Sequence, residues 1–438
     1  MASAIKMLVF AHVPPPHHGQ SFMVHLMLAG FGGDQAKPNP GPAATAVAGS
    51  APAILKDPPP LPDYGIQCYH IDARFSAGLD DVGAFRPGKV LRVFGYCWQA
   101  IRYRFRYRLT CFYYIPAPAQ RIPLLRDWLI LLCCRPFYKS IIFHWHAVGL
   151  GEWLATQASF VTRWISRALL GRSDLSVVLS RYNQADAERL APRRIAIVPN
   201  GIPDPCPDFA STVLPRRLAR LRVRQCLLAG CSPNPADLQS TGPGARQIKV
   251  LFLAHCTREK GLFDTLEGVA IANQMLSRRH SPLEFKLIVA GTFPRSQEQA
   301  EYQEFTGRPE WRDRCRYAGF LASEAKRQAL LEADVFCFPT FYQNEGQPVN
   351  LIEALAFGLP VVTTRWRAIP ELVPAGYPGL IDPHQPQQLA DALLALAQLD
   401  SSEAFRRSFL AQFTCEQYWS GLASALKNLP NSTQPTAA

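Results

Sequence analysis

The sequence predicts an α/β protein of two domains, each with a parallel sheet, facing one another across a cleft. Three observations carry this. Short apolar runs alternate with helical stretches and hairpin signals are few, which is the pattern of strands joined by crossover helices. The series stops in a stretch rich in Pro, Arg and small residues (203–247) and then begins afresh. At 438 residues the chain is too long for one hydrophobic core.

Taken in order, residues 5–11 form an apolar strand that breaks at Val13-Pro-Pro-Pro, and a helix follows from about Gln20. Residues 30–63 are dense in Gly, Pro and Ala and read as a flexible insertion. Strands are expected at 66–71, 109–115, 140–145, 175–180 and 195–199. In 91–108, Leu91, Phe94, Trp98, Ile101 and Phe105 recur at steps of three and four, so this stretch reads as a helix with that face inward. Residues 203–247 read as a linker with an irregular helical insertion. The second domain then runs strand 249–255, helix 262–275, strands 285–291 and 316–320, helix 323–332, strand 335–339, helix 348–357 and strand 360–364. The domain division is therefore 1–202, 203–247 and 248–414, with a final helix within 415–438 crossing back to complete the first domain. Ligands of paired parallel sheets bind at the carboxyl ends of the strands.

Composition narrows the class without choosing a partner. The chain has 46 Lys and Arg against 34 acidic residues, a net +12, which suits phosphorylated ligands, anionic membrane surfaces or nucleic acid. Its 12 cysteines show neither zinc-finger spacing nor a Cys-x2-Cys repeat, and several sit in apolar strands, as Cys337 does. They read as reduced core residues, hence a cytoplasmic protein. The opening MASAIKMLVFAHVPPP lacks the layout of a signal peptide, and LLRDWLILLCC is too short and too charged to span a bilayer. The basic helix ending in RYRFRYRL interleaves aromatics and arginines. It is either a plain surface helix or a patch facing lipid or an acidic acceptor, with nucleic acid the least expected partner.

The segment YQNEGQPVNLIEALAFGLP, 342–360, carries the most chemistry. Pro348 suits the first helical position and Gly358 and Pro360 stop the helix, so Glu345 lies in the preceding loop. Glu353 then falls on the second turn, ~8 Å further along by helical rise. Between them the N–H groups of Val349 and Asn350 are an anion site assisted by the helix dipole. One ligand could span all three, with a diol at each carboxylate and a phosphate on the helix end. The competing reading is that Glu353 merely pairs with a neighbouring arginine.

The segment NEGQPVNLIEALAFGLPVVTT resembles the E-x7-E signature of retaining glycosyltransferases of family 4, which have the GT-B fold of two Rossmann-like domains. AIPELV resembles that family's closing segment. PPPHHGQS, FHWHAVGL, RIAIVPNGI, LAHCTREKGLFDTLEGV and YAGF follow in family order. The resemblance covers most of the chain except 30–63 and about 205–245. It implies transfer of a sugar from a nucleotide-sugar donor to a glycan or lipid-linked acceptor. Glu345 would approach the hydroxyls of the transferred sugar, Glu353 would hold the ribose, and Lys260 would meet the diphosphate. His146 aligns with a family histidine near the reacting sugar. Gly19 would let the backbone approach the diphosphate. Where the family often carries Gly-Arg, Ala254-His255 stands here, and Arg258 is the nearest replacement cation. Asn200-Gly201 reads as a hinge. No Asp-x-Asp or ligand cluster is present in the sequence, so no cofactor and no metal are expected. The alternatives are a nucleotide-sugar epimerase of the same fold and an inactive basic protein binding lipid or nucleic acid.

Overall fold

The structure is a computed structural model describing residues 4–15, 19–37, 62–74, 87–241, 244 and 246–429. Six parallel strands form each of two sheets. The first holds β1 (Ile5–Ala11), β2 (Ile66–Asp72), β3 (Cys111–Tyr114), β4 (Ser140–Trp145), β5 (Leu175–Val178) and β6 (Ile195–Ile197), in spatial order β2-β1-β3-β4-β5-β6. Its helices are α1 (Gly19–Gly30), α2 (Pro87–Arg106), α3 (Arg121–Cys134), α4 (Leu150–Thr156), α5 (Phe160–Leu170) and α6 (Arg181–Glu188). After α7 (Leu214–Leu228) and α8 (Pro235–Thr241) come β7 (Gln247–Leu253), α9 (Leu262–Arg278), β8 (Glu284–Ala290), α10 (Ser296–Thr306), β9 (Cys315–Gly319), α11 (Ser323–Glu332), β10 (Val335–Phe338), α12 (Val349–Ala356), β11 (Val361–Thr364) and β12 (Leu380–Ile381). Three helices close the chain: α13 (Pro386–Leu396), α14 (Ser402–Gln412) and α15 (Cys415–Lys427). The second sheet is ordered β12-β11-β10-β7-β8-β9. This is the GT-B plan.

Most strands of both sheets read as near-continuous apolar runs, because a parallel sheet is covered on both faces, whereas the edge strands β6 and β9 are partly exposed. One face of the first sheet packs against α1 and α15, through Met23, Met27, Tyr418 and Leu422 among others. The other packs against α2, α3, α4 and α5. The two passages between the units run side by side, with Ile202 N–H bonded to Phe413 O at 2.8 Å and Cys415 N–H to Ile202 O at 3.1 Å. From there α15 returns to the first unit, and Trp419 Nε1 donates to Leu26 O at 2.8 Å.

Three expectations are corrected. The first concerns α2, which is turned the other way. Val93, Cys97 and Ala100 are buried against the sheet, whereas Leu91, Phe94, Trp98 and Phe105 are exposed. The aromatic floor beneath it, Phe10, Tyr69 and Phe112, needs a close-packing seam of small side chains. Tyr96, Tyr103 and Tyr107 flank that seam. Second, residues 203–241 are no passive linker. Cys206, Phe209 and Val213 join the core of the second unit. Arg217 donates to Leu330 O and Ala333 O, at the carbonyl-rich end of α11. Arg220 and Arg224 both reach Asp334, at 3.4 and 2.8 Å. Third, Pro348 caps α12 instead of occupying its first turn, since its ψ of 121° is still extended. The 30–63 insertion lies mostly outside the described residues, as do His17 and His18.

Candidate functional site

In each sheet the strand order reverses once, between β1 and β3 and between β7 and β10. Loops leaving the carboxyl ends of such a strand pair diverge and leave a crevice. In the second unit the β7 loop brings Lys260 into this crevice and the β10 loop brings Glu345. Their charged atoms meet, Nζ to Oε2, at 2.6 Å. Thr340 Oγ1 donates to the same carboxylate oxygen at 3.0 Å. Glu345 is only 8% exposed, and the Lys260 ammonium also lies over the Tyr342 ring, 4.6 Å from its centroid. The turn that presents Lys260 depends on Gly261, which sits at φ +82° with Pro339 O where a Cβ would be.

The first turn of α12 follows the Glu345 loop directly, and helix geometry leaves its amides without intrahelical partners. Asn350 anchors the helix end by donating from Nδ2 to Leu253 O at 2.9 Å, at the tip of β7. Glu353, on the next turn, does pair with a cation, but the partner is Lys326 of α11, at 2.5 Å, not an arginine. Both carboxylates of the motif are therefore held by lysines from other elements.

Of the two candidates for a second cation, neither stands beside Lys260 as a free charge. Arg258 is turned toward α10, bonded to Glu301 at 2.6 Å and stacked 4.4 Å from the Phe263 centroid. Burial, and then the Lys260 charge, hold His255 below the usual imidazole value, so it is mainly neutral at pH 7.

The first unit faces this site with the end of β4. His146 lies against the glutamate loop: a Cβ added to Gly346 would fall 2.3 Å from His146 O, so only glycine permits this approach. His144, two residues earlier on the same strand face, is fully buried, bonds Tyr113 through Nδ1 and lies tilted against the His146 ring with centroids 4.2 Å apart. Burial pushes the His144 pKa well down, which marks it as a neutral structural support. Gly19, at the start of α1, lies opposite α12, with Val349 Cγ2 3.6 Å from where its Cβ would be. Two helix N-termini thus converge on the cleft.

Four residues at this site had no role in the sequence reading. Gln347 ties the motif loop to the first unit: its Oε1 accepts from Asn200 N–H at 2.7 Å, while Asn200 Nδ2 donates to Gln347 O at 3.0 Å. Asn200 is thus a bridge as well as part of the crossing. Glu371 caps α6 from across the cleft, accepting from Arg181 N–H at 3.0 Å and Tyr182 N–H at 2.7 Å. Arg367 reaches Glu152 at 3.2 Å and Tyr182 Oη at 3.0 Å. Lys326 is the fourth. Gln347 and Glu371 lie inside quoted motifs and could have been flagged there; for Lys326 and Arg367 the sequence offered no signal.

A cleft between two parallel sheets, with a lysine–glutamate pair and a helix N-terminus at the switch point, offers groups suited to an anionic ligand bearing hydroxyls. Residues 247–398 match the family described as glycosyl transferases group 1. That match falls within the second unit. The chain is 31% identical over 208 residues to the amylovoran biosynthesis glycosyltransferase AmsK of Erwinia amylovora, covering 43% of this chain and 49% of that one. It is 30% identical over 181 residues to the putative colanic acid biosynthesis glycosyltransferase WcaL of Escherichia coli (strain K12), covering 39% and 40%. The match thus spans about half the length of these curated relatives, or less. Among solved structures, Anabaena Alr3699/HepE in complex with UDP superposes at a TM-score of 0.61 and 14% identity, covering 97% of this chain and 100% of that one. Sucrose-phosphate synthase from Thermosynechococcus elongatus does so at 0.62 and 16%, covering 97% and 99%. At these identities the likeness is one of fold.

Proposed function

We propose that the chain is a retaining, metal-independent hexosyltransferase of family 4. It moves a sugar from a nucleotide donor to a glycan or lipid-linked acceptor in polysaccharide biosynthesis, at the cytoplasmic face of a membrane. The observation that carries this reading is the Lys260–Glu345 pair at the switch point, facing His146 across Gly346.

In this reading the donor diphosphate lies between Lys260 and the first-turn amides of α12, Val349 and Asn350. Those donors stabilise charge as it develops on the leaving group. Glu345 accepts hydrogen bonds from hydroxyls of the transferred sugar. Glu353, steadied by Lys326, accepts from the ribose diol; ionised acceptors make the stronger bonds. His146 and Gly19 line the first-unit side. The bond from the anomeric carbon to the diphosphate breaks and its electron pair leaves with the phosphate oxygen. The acceptor hydroxyl attacks on that same face, and its proton passes to the departing oxygen.

The test is thermal stabilisation of the whole chain by UDP, GDP, ADP and TDP and their sugars. UDP comes first, because the HepE structure holds it. Stabilisation by at least one nucleotide, reduced in Glu353→Ala, is expected; a flat response to all of them sinks the donor-site assignment.

A further inference from the structure

The inverted orientation of α2 leaves a surface that the cleft chemistry does not explain. Helices α2, α3 and α5 lie side by side on one face of the first sheet, α3 touching both of the others. Their inner sides are core. Their outer sides expose Leu91, Phe94, Trp98 and Phe105 on α2, Ile122, Leu125 and Leu132 on α3, and Phe160, Val161 and Trp164 on α5. Trp98 is 64% exposed, Trp164 65% and Phe160 78%. Phe105 meets Phe137 edge-on at 6.2 Å, so the patch is continuous from α2 to the turn after α3. Exposed apolar groups on the second unit, such as Leu228, Tyr317 and Leu410, are spread over separate elements. A contiguous apolar face of this extent marks an interaction surface.

Charge identifies what it meets. Across α2, α3 and α5 there is a single acidic residue, Asp127, and it is fully buried and bonded to Tyr114 and Ala117 N–H. Arginines are interleaved with the exposed aromatics. Arg102 lies over Trp98 at 5.6 Å and Arg106 over Tyr107 at 5.3 Å. Among the described residues, Arg102, Arg106 and Arg108 make no ion pair. A recess of about 390 Å³ opens on the same helix, lined by Trp98, Gln99, Arg102, Tyr103, Arg106 and Tyr107. Apolar side chains at acyl depth with guanidiniums at phosphate depth are the pattern of an interfacial surface. No helix among the described residues is long and apolar enough to cross a membrane.

We propose that the outer face of the α2–α3–α5 layer is a docking surface for an anionic phospholipid bilayer. It builds on the peripheral-membrane part of the reading above and not on its donor part. Crossover helices of a parallel sheet begin at the carboxyl edge, so Leu91, Phe94, Ile122, Leu125, Phe160 and Trp164 lie toward the cleft. Docking there would set the first-unit side of the cleft beside the membrane, within reach of a lipid-borne acceptor.

The test is flotation of the full chain with phosphatidylcholine vesicles, with and without about one-third phosphatidylglycerol. Binding should be at least about tenfold stronger to the anionic vesicles and should weaken in high salt. R102Q/R106Q should lower it by about 25-fold, since each basic residue near an anionic surface contributes about fivefold. W98S/W164S should lower it by about tenfold or more. F320S, an exposed aromatic on the second unit, should change nothing. Thermal melting of each variant checks folding, and nucleotide stabilisation, read separately, reports on the donor site alone. The proposal is overturned by absent binding, by equal binding to neutral vesicles, or by binding retained in both double variants. A stable dimer that W98S/W164S dissociates would give this face to a second copy and overturn it equally.

Discussion

The two units share one plan, six parallel strands with a single reversal of order, yet they distribute charge differently. The second unit brings its charges inward. Lys260 with Glu345, Lys326 with Glu353 and Arg224 with Asp334 are all close pairs at low exposure. The first unit carries the pairs Asp72–Arg74 and Asp127–Arg126 beside the ends of β2 and β3, and lines its sheet with histidines that burial holds below the usual imidazole value: His12, His25, His70 and His144. Its arginines and aromatics are turned outward on α2, α3 and α5. The same fold thus supplies an electrostatic grip on one side of the cleft and a greasy, basic exterior on the other. The difference lies in side chains, not in topology.

The contrast is broken most directly at its centre. Lys260→Ala should cut transfer by about 10²- to 10³-fold, the usual loss when one preorganised donor to developing charge is removed. Steady-state kinetics with the stabilising nucleotide sugar measures this, and a near-normal rate would refute the assigned role. Next in size is Arg224→Ala, which strips a buried partner from Asp334 and should cost about 3 kcal/mol in the second unit. Denaturant unfolding followed by hydrogen exchange should show that loss in β7 and β10 and not in β1 or β4.

Glu353→Ala should weaken nucleotide binding about tenfold while sparing turnover at saturation, and Glu345→Ala should do the reverse. Equal effects on both parameters would abolish the division between ribose and sugar carboxylates. Acid sharpens the comparison from the other side. A histidine lowered in the folded state is protonated first in the unfolded chain, so its contribution is present above about pH 6.5 and lost as pH falls toward the folded value. For a fully buried ring such as His144 the slope approaches about 1.4 kcal/mol per pH unit. The first unit should therefore lose protection before the second between pH 7 and 5, as hydrogen exchange would reveal. The smallest effect is expected from Glu371→Gln, which keeps the shape of the α6 cap but not its charge. A loss of about 0.5 kcal/mol of closure should appear as a slight expansion in solution scattering, with both units equally stable.

How much of this was legible beforehand follows from the range of each interaction. Alternation of apolar runs with helical stretches is local, so the two sheets, their parallel character and most strand positions follow from the sequence alone. So does the motif at 342–360, because Pro348, Gly358 and Pro360 act on their immediate neighbours. The direction in which α2 faces was not legible. Apolar residues lie almost all round that helix, and only the aromatic floor of the sheet decides that the small seam of Val93, Cys97 and Ala100 goes inward. Residues 203–241 looked like a linker because arginine and proline are poor core formers. Their place came from carbonyls at the end of α11 and from Asp334, more than a hundred positions away in the chain. The partners of the two motif glutamates likewise come from the β7 loop and from α11. Sequence determined which carboxylates stand ready and on what local frame. Only tertiary structure decided which lysines hold them and which side of the first unit stays bare, since both depend on contacts that no local pattern encodes.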